Sequence, residues 1–299
     1  MNKGVVSVLV AYLIWGLYPF YFHAMQHVAP AEIVIHRVLW TFALLAVYLF
    51  CSRRWRWIQK AVTDRRTVAV FLMSSVLITA NWSTYTYAIV TNQKLEASLG
   101  YFMNPLVSVL LGTVFLKEKL NKAQMLAIVF ACAGVMWVTF KQGEFPALGL
   151  TLALSFGFYG LVRKMAPLGS LEGLTLETAF AFPVALLATF YFAGNGDLTF
   201  VHGTSWDKFW LIMAGPITTI PLILFAYGLK QVPYSTVGFI QYLSPTMVFF
   251  IGLFFFGEEL QVDRLIGFIL IWAGVLIFVG ENFFRSHSGY RTEFNQLSK

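Results

Sequence analysis

Ten runs of apolar residues, each set off by a short polar break, constrain what this chain can become. They occupy residues 4–24, 32–51, 67–90, 97–116, 123–140, 148–161, 174–193, 209–228, 235–256 and 265–284. Crossing a bilayer as a helix takes about 20 mainly apolar residues, within a range of roughly 17–25. Most of the runs meet that length. The sixth is short and stops at Arg163-Lys164, which makes it the weakest span. Lipid cannot satisfy open backbone groups, and the alternating pattern of a membrane barrel is missing, so helix is the state these runs take. The fold class expected is an all-α integral membrane protein with ten transmembrane helices. Charged residues are 12% of the chain, against about 25% in an ordinary soluble domain. That is too little polar material to clothe a soluble surface.

Lys3 followed by an apolar run resembles a secretory signal, but no small-residue cleavage site and polar domain follow, so it reads as an uncleaved first helix. Cys51 and Cys132 fall in different helices and read as packing residues rather than a bridge or metal site. Residues 285–299 form a polar tail, expected to be cytoplasmic and poorly ordered. Orientation follows from the basic residues, which collect in cytoplasmic loops. With the N-terminus inside, Arg53, Arg54, Arg56, Lys60, Arg65 and Arg66 lie inside, as do Lys117, Lys119, Lys122, Arg163, Lys164 and Lys230. Lys94, Lys141, Lys208 and Arg264 fall outside. Both termini are therefore expected in the cytoplasm. The net charge of +7 is accounted for by these loops and calls for no nucleic acid. The Arg53 to Arg66 cluster should sit against anionic lipid.

The chain also repeats itself. Asn104-Pro105 is echoed by Ser244-Pro245 about 140 residues further on. At the same offset Gly112 meets Gly252, Glu118 meets Glu258, and Ala133-Gly134-Val135 meets Ala273-Gly274-Val275. Each half holds five helices, and an odd number makes the second half enter the membrane from the opposite face. The expected units are residues 1–142, 143–284 and the tail 285–299. Inverted repeats mark secondary transporters, whose substrate site lies at the repeat interface near the midplane. A duplicated channel is the competing reading.

Several long stretches resemble the EamA family of the drug/metabolite transporter superfamily, in particular its RarD-type members. They include residues 11–16 (Ala11 to Gly16), 32–40 (Glu32 to Trp40), Asn81-Trp82, 95–106 (Leu95 to Leu106), 156–164 (Phe156 to Lys164) and 238–242 (Gly238 to Tyr242). The resemblance spans nearly all of residues 4–284. It implies ten helices in two inverted EamA repeats, a place in the plasma (inner) membrane, and a role in moving metabolites or drugs, commonly outward.

Polar residues inside the apolar runs are the candidate site. An ionisable side chain there is expensive and usually faces a cavity or a partner. Arg37 lies about 7 Å into the second helix at 1.5 Å per residue. It reads as an anchor for a carboxylate or other anion, with His36 as a titratable neighbour. The competing reading is an interfacial ion pair with Glu32 or Glu96, or a snorkelling arginine. The repeat offset carries Arg37 onto Glu177, so the two charges are expected to line opposite vestibules of one pathway. Pairing of Glu177 with Arg163 or Lys164 competes with that. Asn81 and Trp82 sit mid-helix and are read as ligand contacts, with interhelical bonding as the alternative for Asn81. The prolines at 105 and 245 should interrupt the fourth and ninth helices at matched positions. Matched interruptions point to a transport site, which brings in Tyr101, Asn104, Gln241 and Tyr242. Trp15, Tyr18 and Tyr159, from the matched first and sixth helices, complete the candidate lining. Ala123, Ala127 and Ala131 look like a close-packing face, and Glu118 and Glu258 like structural groups at helix starts.

Zinc-helix, nucleophile-elbow and Walker-loop patterns are missing, so neither a cofactor nor a nucleotide is expected. The expected partners are a small-molecule substrate, the lipid bilayer, and a coupling proton (through His36 or Glu177) or a counter-substrate. The leading reading is a secondary transporter that exports a small metabolite, amino-acid-like compound or drug by alternating access. A membrane-embedded enzyme and a channel or sensor are the other classes this composition admits.

Overall fold

The computed structural model describes residues 2–90, 94–143, 145–257 and 259–297, with side chains described for 2–88, 98–141, 143, 145–257 and 259–281. Among the described residues the chain is helical throughout, with turns but no strand. Nine stretches are long and apolar enough to cross a membrane. The first combines α1 (Lys3–Gly16) and α2 (Tyr18–Ala24), which break at Leu17 just before Pro19. Then come α3 (Pro30–Ser52), α5 (Arg65–Val90), α6 (Lys94–Phe115) and α7 (Lys122–Gln142). In the second half come α9 (Ser170–Gly194), α11 (Ser205–Leu229), the pair α12 (Tyr234–Gln241) and α13 (Leu243–Phe255), and α14 (Val262–Leu297). The tenth membrane helix is α8 (Ala147–Met165), the weakest span of the sequence. It runs through Arg163 and Lys164 rather than stopping before them. Short surface helices α4 (Arg56–Thr63) and α10 (Thr199–His202) complete the set. The backbone of α14 continues helical past the apolar run to Leu297.

Helix starts follow local chemistry. Asn121 and Gln124 form a capping box at α7, and Thr204 and Asp207 form another at α11. Asp64 accepts from the Thr67 hydroxyl and from the Arg66 and Thr67 N–H groups before α5. Those bonds hold its pKa below the ordinary carboxylate value, the Thr67 hydroxyl most of all. The Asn104-Pro105 pair departs from expectation. Pro105 sits inside an unbroken α6, whereas its counterpart helix parts at Tyr242, three residues before Pro245.

The two halves pack as inverted copies. In sequence order of the ten spans, the first packs on the eighth and ninth, and its counterpart, the sixth, packs on the third and fourth. The second lies on the seventh and eighth, while the seventh lies on the second and third. The fourth meets the ninth, and the fifth meets the tenth. Swapping the halves leaves this pattern unchanged, as a two-fold relation requires.

Small residues allow the closest approaches. A Cβ on Gly274 of α14 would stand 2.5 Å from the Ala127 carbonyl of α7. Ala127 and Ala131 are buried there, so the alanine face joins the fifth span to the tenth. Gly274→Val is expected to destabilise the protein by about 1–3 kcal/mol through overpacking. A lowered melting temperature of the detergent-purified chain checks this, and an unchanged melt contradicts the close α7–α14 contact.

Candidate functional site

A cavity of about 620 Å³ lies between the two halves. Its mouth is lined by Phe22, Arg37, Tyr85, Ser98, Glu259 and Arg264, all near helix ends on one face of the molecule. Its deeper wall carries Tyr12, Trp15, Asn81, Leu152, Phe156, Leu222 and Gln241. That volume falls within the range of roughly 300–1,000 Å³ typical of small-molecule sites. The lining combines an aromatic body with a few polar groups.

Arg37 is the centre of the mouth. It is 8% exposed and placed by α3. Its Nε donates to Thr218 Oγ1 on α11 at 3.0 Å. The guanidinium carbon lies 4.3 Å from the centroid of the Trp82 ring and 6.0 Å from that of Tyr18. Aromatic faces attract a cation, more strongly where water is excluded. Among the described residues no carboxylate stands within ion-pair distance of it. Glu32 does not serve. Its two oxygens accept from Thr199 N at 3.0 Å and Phe200 N at 2.7 Å, which ties α3 to the start of α10. The Glu96 side chain lies outside the described residues.

Of the residues singled out in the sequence, Trp15, Tyr18, Arg37, Asn81, Trp82, Tyr101, Asn104 and Gln241 line this one cavity. Tyr18 donates to the Ile217 carbonyl at 2.8 Å, which fixes its ring beside Arg37. Asn81 donates through Nδ2 to Leu152 O and Ser155 Oγ, each at 3.0 Å. It therefore stitches α5 to α8 as well as facing the cavity. Tyr101 lies edge-on to Tyr85 at 5.9 Å.

Four of the expected residues lie elsewhere, behind the lining. His36 is buried, accepts from Trp40 Nε1 at 2.9 Å and sits 3.9 Å from Glu32. Its place one residue from Arg37 turns it about 100° around the helix, away from the cavity. Tyr242 is buried against the cluster of Phe102 and Phe268. Tyr159 and Glu177 belong to a separate polar cluster at the opposite end of the bundle.

In that cluster Arg163 Nε lies 3.3 Å from Glu177 Oε1, and both side chains are 1% exposed. Ser74 donates to Glu177 Oε1, Tyr159 donates to its Oε2 at 3.3 Å, and Ser75 donates to its backbone carbonyl at 2.7 Å. Arg163 also donates to Ser170 O at 3.0 Å and stands 5.4 Å from the Phe71 centroid. Glu177 is thus the partner of Arg163 and not an open vestibule group, because a buried carboxylate needs its countercharge. Two lysines reinforce this end. Lys164 donates to Leu229 O and Val232 O, and Lys230 to Ala166 O and Leu168 O, so α8 and α11 clasp each other's C-terminal carbonyls. Burial lowers the Lys230 pKa, and the nearby Arg163 lowers it further against Glu172. Glu118 accepts from Tyr234 N at 2.6 Å and Ser235 N at 2.8 Å and so caps α12. Glu258 lies outside the described residues. The cavity is open at the Arg37 end and closed by these contacts at the Arg163 end.

Tyr12, Phe22, Tyr85 and Phe156 line the cavity without having been singled out. Helical spacing marks the first two. Positions 12, 15, 19 and 22 recur at three, four and three residues, one face of a helix.

Comparison with known proteins agrees with this architecture. The model of the EamA-like transporter family matches residues 2–140 and 146–280. The uncharacterized transporter YojE of Bacillus subtilis is 40% identical over 282 residues, 93% of each chain. An uncharacterized transporter of Pseudomonas aeruginosa is 38% identical over 93% of each chain. Protein RarD of Escherichia coli is 37% identical over 93% of this chain and 94% of its own. A solved crystal structure, 14% identical, superposes with a TM-score of 0.67 over 92% of this chain and 96% of its own, and shares the fold.

Removing one partner of a buried ion pair strands the other, at a cost of about 3–5 kcal/mol. Glu177→Ala is therefore expected to lower thermal stability sharply, and the double change Glu177→Leu with Arg163→Met to recover most of it. A single variant as stable as the parent in the same melt contradicts the pairing.

Proposed function

The chain belongs to the EamA-like transporter family, and from that footing we propose that it is a secondary carrier exporting a small amphipathic anion. The class covers carboxylate-bearing metabolites, amino-acid-like compounds and drugs. The observation that carries the reading is Arg37, a cation inside the membrane with no acidic partner among the described residues, facing an aromatic cavity between two inverted repeats. A charge in that position costs several kcal/mol and is retained where it faces a pathway or a charged ligand. A bound carboxylate supplies the countercharge and accepts two parallel N–H bonds from a guanidinium. The apolar part of the substrate then packs against Trp15, Phe22, Tyr85 and Phe156.

The distribution of basic loops supports an orientation with both termini and the Arg163 end in the cytoplasm and the Arg37 cavity facing out. Transport then requires the Arg163 end to part while the Arg37 end closes, the rocking of one repeat against the other that inverted repeats permit. An ion or counter-substrate gradient drives the cycle.

Counterflow of a labelled aromatic carboxylate in proteoliposomes tests this. Saturable flux, stimulated by unlabelled compound on the opposite side, is expected. Arg37→Ala should lower it by about tenfold or more, the loss of a charge-assisted hydrogen bond, while the protein remains folded. Flux that rises linearly without saturation would show a channel instead.

A further inference from the structure

Two polar groups at the closed end of the cavity stand apart from Arg37 and its aromatic surround. Tyr12 of α1 and Gln241 of α12 line its floor and are 4% and 2% exposed. The Tyr12 hydroxyl and the Gln241 amide face each other, but neither the hydroxyl nor the Gln241 Nε2 meets a partner at full hydrogen-bond geometry within the protein. The rest of the Gln241 amide is committed. Its Oε1 accepts from Ser108 Oγ at 3.2 Å, and Ser108 lies 3.4 Å from the Tyr234 hydroxyl. Tyr234 in turn donates to Gly157 O at 2.7 Å. With the Ser108 hydroxyl donating to Oε1, the NH2 group is the part of the amide left to donate. The Tyr12 ring is held edge-on between Trp15, at 4.9 Å, and Phe225, at 5.9 Å. A buried donor left unmatched is costly, and Leu152, Leu222 and Phe156 beside these two show that an apolar floor was available.

Position adds a length. Tyr12 precedes Tyr18 by six residues, with the break at Leu17 between them, so it lies up to about 9 Å deeper at 1.5 Å per residue. Tyr18 marks the level of Arg37, whose guanidinium is 6.0 Å from its ring. Trp15 and Phe156 stand between the two levels, edge-on at 5.7 Å. The cavity therefore presents a cation, an aromatic waist and a pair of neutral donors in sequence from mouth to floor.

We infer that Tyr12 and Gln241 form a floor subsite for a neutral hydrogen-bonding group, a hydroxyl or carbonyl, at the far end of a substrate whose anionic group is held by Arg37. The inference rests on the transport reading and narrows it. The substrate class is an elongated carboxylate with an aromatic-sized apolar middle and a neutral polar end. A site built to bond such a group discriminates against the analogue that lacks it, because its own buried donors then stay unmatched.

The test uses two probes that differ only in one hydroxyl, 3-(4-hydroxyphenyl)propanoate and 3-phenylpropanoate. Their affinities for the purified full chain are measured by calorimetry. The hydroxylated probe should bind about five- to tenfold tighter, the worth of one hydrogen bond. Tyr12→Phe and Gln241→Leu should each erase most of that preference. Both should leave binding of the deoxy probe intact, which also shows that the variants fold. Arg37→Ala should weaken both probes together. Equal binding of the two probes, still dependent on Arg37, overturns the floor subsite and leaves the transport reading standing. A preference that survives both floor variants also overturns it. Failure of both probes to bind the parent chain overturns subsite and carboxylate site alike.

Discussion

A guanidinium with no acidic partner among the described residues governs the half of the protein around the cavity mouth. Arg37 is buried between Trp82 and Thr218 in a region that lipid would otherwise claim. Nothing in a bilayer core hydrates such a group, so the surrounding helices must do it. Trp82 offers a face, Thr218 an acceptor, and the cavity the remaining solvation. The aromatic lining, the packing of α3 on α11 and the open mouth all follow from keeping that cation tolerable yet available.

The opposite end solves the same problem differently. Glu177 occupies the position that the repeat offset assigns to Arg37, but it is neutralised by Arg163 and bonded by Ser74 and Tyr159. Both charged groups bridge equivalent helix pairs. Arg37 joins the second span to the eighth through Thr218, and Glu177 joins the seventh to the third through Ser74. One end therefore holds a charge with no acidic partner among the described residues, and the other holds a charge already paired. Arg163 keeps Nε and Nη1 without hydrogen bonds, so its pairing with Glu177 is electrostatic more than geometric.

Much of this was legible in the sequence, because hydropathy and the repeat are strong signals over long stretches. Ten spans, their inversion and the cavity positions of Arg37, Trp15, Asn81 and Gln241 came from apolar runs, offset matching and the rarity of polar residues in lipid. The rest needed three dimensions. His36 adjoins Arg37 in the chain, but a helix turns neighbouring residues to different sides. Tyr159 matched Tyr18 by position, and the inversion puts it beside Glu177, at the closed end, as Tyr18 stands beside Arg37 at the open one. The proline match did not carry over to matched breaks: α6 stays helical through Pro105, while its counterpart parts at Tyr242. Tyr12 was marked by its spacing from Trp15, a periodicity as visible as the motifs but less conspicuous among so many aromatics.

The central claim is one cavity that is exposed to one face at a time and sealed at the other by the Arg163–Glu177 end. Its most direct measurement is labelling of Ile78→Cys, a cavity-lining position, by an impermeant maleimide applied to either face of oriented vesicles. The background chain carries Cys51→Ser and Cys132→Ser. Labelling should be fast from the Arg37 face and slow from the Arg163 face. Removing the Arg163–Glu177 pair should speed the second at the expense of the first. Labelling that rises from both faces together, or that is insensitive to the pair, would contradict the account.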